Sequence, residues 1–193
     1  MHLVFYGPEG SGKGTQAKLL SEKLKLPIYT TGDLVREAAA NDKTDVGNLC
    51  RKVLEEGKYL PDVVVSQLIA NKVTGSSAVN GFILDGFPRT KGQAEFLDKT
   101  VEKSGFKIDK FIYLNLSDEE SVKRLSKRKR VLFGGSNILH DDPKRVRQRL
   151  AVYHKNEKDV IDFYTKKNLI LEVNAGQTVE KVFRDIVLGL KLA

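Results

Sequence analysis

Residues Leu3-Val4-Phe5-Tyr6-Gly7-Pro8-Glu9-Gly10-Ser11-Gly12-Lys13-Gly14-Thr15-Gln16 constrain the fold more than any other stretch. An apolar run reads as a buried strand, it breaks into a glycine-rich turn carrying one lysine, and a helix-forming stretch follows. Glycines let backbone N–H groups turn inward around phosphate oxygens, and a helix N-terminus adds positive potential. Lys13 supplies a point charge for β- and γ-phosphates. The general pattern wants Ser or Thr directly after the lysine. Here Gly14 stands there and Thr15 comes one later. A strand, this turn and a helix in that order make a phosphate-binding P-loop.

Further apolar runs of strand length occur at Ile28–Thr30, Phe82–Leu84, Phe111–Leu116 and Leu169–Val173. Amphipathic helical segments separate them, near 14–25, 33–41, 46–56, 62–73, 90–103, 118–129, 143–166 and 178–191. Strands alternating with helices imply a parallel sheet covered by helices on both faces, a three-layer α/β fold. Strands buried on both faces read as continuous apolar runs, as these do. Ligands then bind beyond the carboxyl ends of the strands, where Gly7, Asp85 and Ser117 fall. Two stretches break the alternation. Residues 31–75 hold several helices between the second and third strands and read as a helical flap. Residues 131–142 interrupt two helical segments with glycines and turn formers and read as a mobile lid, bounded at 129–142. With no repeat or linker, the chain reads as one domain, 1–193.

Three competing meanings attach to the net charge of +8: a nucleic-acid surface, an anionic small ligand, or a lysine-rich solvated face. Basic residues cluster at Lys123–Arg130 and Lys144–Arg149 without the interleaved aromatics of a single-strand binder. A polyphosphate ligand plus a solvated lysine face is the preferred reading, with no nucleic acid. No apolar run approaches the length of a membrane span. The N-terminus enters a strand directly and leaves no room for a signal peptide. Cys50, the only cysteine, excludes an internal disulfide and a cysteine-based zinc site, and reads as a small buried side chain on a helix. A cytoplasmic monomer without zinc is the expectation.

Several constellations carry the chemistry. In Thr31-Gly32-Asp33-Leu34-Val35-Arg36, Thr31 or Asp33 is placed to cap a helix that carries Arg36 one turn in. In Asp85-Gly86-Phe87-Pro88-Arg89-Thr90-Lys91-Gly92-Gln93, an aspartate ends a buried strand beside the P-loop. It can hold Mg²⁺ directly or through water, with Thr15 as the hydroxyl partner. The Gly-Phe-Pro turn aims Arg89 over the sheet edge, and the Gln93 carboxamide can pair with an adenine edge. Arg124 and Arg128 are spaced for one helical face, and Arg149 lies on the helix after the lid. Arginine suits planar, bidentate capture of phosphate oxygens.

Together these residues resemble the adenylate kinases, phosphotransferases that make two ADP from ATP and AMP, nearly end to end. The markers are Gly7–Gln16, Thr31–Arg36, Gly57–Asp62, Asp85–Gln93, Arg124–Arg128 and Arg147–His154. The resemblance implies a five-stranded parallel core, a helical AMP-binding flap and a short lid. It implies ATP contacts from Gly10, Ser11, Gly12, Lys13, Gly14, Thr15, Arg124 and Gln177. AMP contacts fall to Thr31, Arg36, Lys58, Tyr59, Leu60, Gly86, Phe87, Pro88, Arg89, Gln93 and Arg149. Lys13, Arg89, Arg124, Arg128 and Arg149 become the catalytic cations, with Arg128 facing the transferring group. Gln93 in place of asparagine points to AMP rather than UMP or CMP. The lid departs from the family pattern. Ile138-Leu139-His140 precede Asp141-Asp142 where an arginine usually stands, which leaves either Lys129, Arg130 or His140 as a partial substitute or a slow turnover.

The acceptor is itself a phosphate, already largely dianionic near neutral pH because its second pKa is about 6. No general base is needed, so His2, His140 and His154 read as structural or surface groups. What the reaction requires is cancellation of anion–anion repulsion, roughly 4 kcal/mol for two unit charges at about 4 Å and an effective dielectric near 20. A UMP/CMP or other monophosphate kinase is the first alternative. A non-catalytic nucleotide-binding protein is the second.

Overall fold

A computed structural model describes residues 1–56, 60–74, 78–128 and 141–192. The chain runs β1 (His2–Tyr6), α1 (Lys13–Leu24), β2 (Ile28–Thr30), α2 (Thr31–Asn41), α3 (Asp45–Glu56) and α4 (Asp62–Val73). It continues with β3 (Phe82–Asp85), α5 (Lys91–Lys103), β4 (Lys110–Asn115), α6 (Asp118–Ser126), α7 (Pro143–Thr165), β5 (Ile170–Asn174) and α8 (Val179–Gly189). The strands form one five-stranded sheet in the order β2-β3-β1-β4-β5, and each described pairing is parallel.

Side-chain alternation along the central strands splits the core in two. Val4, Leu84 and Phe111 pack with residues of α2–α5 and α7 on one face. Leu3, Phe5, Ile83, Ile112 and Leu114 pack with α1 and α8 on the other. Both faces being covered explains why the strands read as unbroken apolar runs. Cys50 is fully buried in the first of these clusters. Among the described residues no helix is long and apolar enough to cross a membrane.

Parallel register gathers the strand ends at one edge. Thr30 and Phe5 both pair with Asp85, Tyr6 pairs with Tyr113, and Asn115 pairs with Asn174. The P-loop, the start of α2, the Asp85 turn, the start of α6 and the turn after β5 therefore share one side of the molecule.

Three local expectations are corrected. The cap of α2 is Thr30, whose side chain accepts from the Asp33 N–H at 3.0 Å, not Thr31 or Asp33. Thr30 ends β2 and Thr31 opens α2, and it is Thr30 that takes the extended conformation a cap needs. The helix expected at 118–129 stops at Ser126. Arg128 closes it with an N–H to the Leu125 carbonyl at 2.9 Å, a tightened last turn. Arg128 therefore lies beyond α6 and does not share a regular helical face with Arg124. The basic run holds neither Gly nor Pro to signal that stop. The lid, apart from Asp141 and Asp142, lies outside the described residues, as do Lys58 and Tyr59 and the proposed substitutes Lys129, Arg130 and His140.

Candidate active site

Gly7 leaves β1 at φ +142°, and a Cβ there would sit 2.4 Å from the Leu114 carbonyl oxygen. The loop thus crosses directly over the end of β4, where only glycine fits. Gly10 and Gly12 both hold φ +88°, and Gly12 caps α1. Lys13 opens that helix and folds back, its Nζ donating to the Gly7 carbonyl at 2.8 Å and the Pro8 carbonyl at 2.9 Å. Burial pulls the Lys13 pKa down, against the opposing pull of Asp85 and Glu9. Arg89 and Arg128 also push it down, which sets both arginines within electrostatic reach of the loop.

Asp85 is the last residue of β3, and its carboxylate faces the first turn of α1, with Oδ2 at 3.4 Å from a Cβ placed on Gly14. Burial raises its pKa, Lys13 and Arg89 lower it, and Asp33 raises it. Thr31, released from capping, donates to the Gly86 carbonyl at 2.9 Å. Arg89 Nε donates to the same oxygen at 2.9 Å. Gly86, at φ +86°, is the close approach that lets both side chains meet it. Arg36 pairs with Asp33 at 2.6 Å, and its guanidinium lies over Gly32. Thr31, Arg36, Gly86 and Arg89 thus converge beside Asp85.

Other expected residues are placed differently. Gln93 is buried, and its Oε1 accepts from the Arg89 N–H at 2.7 Å; its acceptor is engaged in shaping the turn. Phe87 is 1% exposed and Leu60 8%, both within the core, so these two anchor the walls rather than offer side chains to solvent. Gln177 turns toward α8, its Nε2 donating to Asp185 at 2.8 Å and to the Asn174 carbonyl at 3.1 Å.

On the other side of the P-loop, Arg124 pairs with Glu120 at 3.0 Å and donates to the Ala175 carbonyl at 3.0 Å and the Gly10 carbonyl at 3.4 Å. It ties α6, the P-loop and the turn after β5 together. Next to it a cleft of about 540 Å³ opens beyond β4 and β5, lined among others by Asn115, Ser117, Glu120, Glu172 and Asn174. Sequence reasoning missed the asparagines, since nothing but strand register marks them.

Arg149 comes from the second turn of α7, which Asp142 caps by accepting from the Lys144 and Arg145 N–H groups. Its side chain is 11% exposed and meets two carboxylates, Asp141 at 3.2 Å from Nη2 and Glu9 at 2.8 Å from Nε. The Glu9 oxygen sits off the line of that N–H, so the contact is ionic in character. Glu9 was overlooked in the sequence, although an acid inside a phosphate loop is itself a signal. Farther along α7, His154 lies between Asp118 and Glu157, each at 2.8 Å, and Tyr113 and Tyr153 donate to Glu157 at 2.8 and 2.6 Å. Burial pushes the Glu157 carboxyl up, but Tyr153, His154 and Tyr113 outweigh it and hold the pKa below the usual range. His2 is structural, its ring within 3.0 Å of the Ala78 carbonyl.

The family model described as adenylate kinase matches residues 5–169. The chain is similar to an adenylate kinase of Archaeoglobus fulgidus, 36% identical over 209 residues, covering 96% of each chain. It is also similar to one of Thermosipho africanus, 36% identical over 97% of this chain and 98% of the relative. A third relative is the adenylate kinase of Bartonella tribocorum, 34% identical over 96% of this chain and 97% of the relative.

Proposed function

We propose, from the premise that this chain belongs to the adenylate kinase family, that its P-loop and the turn after Asp85 carry one reaction: transfer of the terminal phosphoryl group of ATP to AMP, giving two ADP, and the reverse. The observation that carries this reading is the meeting of three groups at the carboxyl edge of the sheet: Lys13 folded over the Gly7 and Pro8 carbonyls, the Asp85 carboxylate against Gly14, and Arg89 on the Gly86 carbonyl. The donor lies along Gly10–Thr15, with its base and sugar toward Arg124 and the cleft beside Asn174. The acceptor lies over Thr31, Arg36, Gly86 and Arg89, with Lys58, Tyr59 and Leu60 as further expected contacts and Gln93 setting the adenine pocket. The Gln93 Nε2 group is the part of that side chain left to read the base, since Oε1 holds the turn.

The chain's own residues perform three tasks. Lys13 meets the phosphates bridging donor and acceptor, and a phosphate anion offsets the burial that pulls its pKa down. Arg89, Arg124, Arg128 and Arg149 spread positive charge around the transferring group, whose negative charge is distributed over equatorial oxygens. Enclosure by the flap and the lid segment would hold two phosphates in line and keep water, the competing acceptor, away. No side chain acts as a base, because the attacking oxygen already bears charge.

Mg²⁺ fits this donor set. Asp85 is a half-buried carboxylate at the end of β3, and Thr15 lies in the first turn of α1. Among the described residues no three His, Cys, Asp or Glu side chains form a metal cage. Few protein ligands plus substrate phosphates is the manner in which Mg²⁺ is commonly held. When bound it supplies charge neutralisation to the phosphate oxygens. We also read the protein as a cytoplasmic monomer without zinc, and its single cysteine, buried in α3, accords with a reducing compartment.

The test is a coupled assay for ADP with ATP as donor and AMP, UMP, CMP or GMP as acceptor. AMP is expected to be the preferred acceptor by a wide margin, and Lys13→Ala to lower kcat by about a hundred- to a thousandfold. Equal rates with UMP and CMP would favour the alternative monophosphate kinase. Nucleotide binding without turnover would favour a non-catalytic protein.

A further inference from the structure

The Glu9–Arg149 pair joins the phosphate loop to the helix that follows the lid segment. Glu9 lies between Pro8 and Gly10, inside a loop that gathers anions, and close enough to Lys13 to oppose the fall in its pKa. A carboxylate in that position works against phosphate binding unless it has another task. Its partner suggests one. The Arg149 guanidinium is too buried to stand without counter-charge, and among the described residues two carboxylates of unlike freedom meet it. The Asp141 side chain is 2% exposed, whereas that of Glu9 is 32% exposed.

We infer that Glu9 is a positioning residue: a resident counter-ion that holds Arg149 against the phosphate loop and yields it to a nucleotide phosphate, so that its charge sets nucleotide affinity through Arg149. Asp141 is the enclosed partner, shielded from water. Glu9 is the exchangeable partner, because its carboxylate has water at hand when displaced. A phosphate presents paired oxygens to the same planar donor fork, with more charge than a carboxylate carries. The exchange keeps the guanidinium compensated at every stage and points it at the loop before the ligand arrives. This deepens the phosphotransfer reading and rests on it.

The test measures AMP affinity by titration calorimetry on the full chain for wild type, Glu9→Gln, Arg149→Gln and the double variant, with ADP formation recorded in parallel. Glu9→Gln is expected to tighten AMP binding about tenfold, with the KM for AMP falling in step. In the Arg149→Gln background that gain is expected to disappear. Unchanged affinity in Glu9→Gln overturns the inference. So does an equal gain in both backgrounds, which would mean direct repulsion between Glu9 and phosphate. A fall in kcat at unchanged affinity overturns it too, since Glu9 would then hold Arg149 during transfer itself. Should Arg149→Gln not fold, the Arg149 Nε resonance decides. It is expected to shift on adding AMP and to lie partway along that shift in Glu9→Gln alone; a resonance that AMP leaves unmoved sinks the idea. Wild type that forms no ADP would defeat the functional reading, whereas active wild type with a neutral Glu9→Gln defeats only the exchange.

Discussion

Gly7 does two things that no other residue type can do in its place. It takes φ +142°, and it lets the chain pass over the Leu114 carbonyl, which would stand 2.4 Å from a Cβ. Gly7→Ala is therefore expected to destabilise the protein by roughly 3 kcal/mol, from backbone strain plus displacement of β4. Urea unfolding checks this, and a midpoint equal to wild type would mean that the loop can lift off the strand freely. The P-loop was readable from its glycines and lysine because local backbone geometry demands those types. Thr31 does not cap α2, as the sequence suggested it or Asp33 would; Thr30 does, and the Thr31 hydroxyl goes instead to the Gly86 carbonyl. Gln93 presents the opposite case, since its buried acceptor is spent on the Arg89 amide, a contact that spacing alone does not reveal.

At the scale of elements, α6 and α7 are the two arms that flank the lid segment, and His154 is a tie between them. Its Nε2 faces Asp118 at the start of α6, and its Nδ1 faces Glu157 on its own helix. Both nitrogens donate at once only when the ring is protonated. Hydrogen bonding to Asp118, against partial burial, raises the pKa above its ordinary value near 6.5. A raised histidine pKa adds stability that is fully present below the unfolded value and is lost as pH climbs through the folded one. Wild type should therefore exceed His154→Gln in Tm most clearly at about pH 6, and the gap should close as pH rises past the elevated value. A gap constant from acid to alkaline pH would rule out the charged tie. The helix order was legible from periodicity, but the end of α6 was not. Lys123–Arg130 has helix-forming residues throughout, and what halts the helix at Ser126 is not a local stop signal.

For the whole molecule, the parallel sheet brings the P-loop and the turn after Asp85 to one edge, where Arg149 of α7 meets the loop through Glu9, so ligands that bridge them should stabilise everything at once. A ligand that binds only the folded state adds about 4.1 kcal/mol at a concentration a thousand times its Kd. A bisubstrate analogue joining two adenosines through phosphates is expected to raise Tm more than AMP alone at equal saturation, and UMP much less. Thermal unfolding monitored by fluorescence or calorimetry reads this directly. Equal shifts from the bisubstrate analogue and AMP would argue that the two sites are not coupled through the sheet.

Pattern in the chain was enough to establish the parallel α/β architecture and the glycine-rich turn after β1, because each depends on local rules: buried strands are apolar on both faces, and tight loops need glycine. Which carboxylate meets which cation was decided only when the sheet closed. Glu9 and Arg149, or His154 and Asp118, are far apart in the chain, and electrostatics acts across space at a few ångströms with no regard for sequence distance.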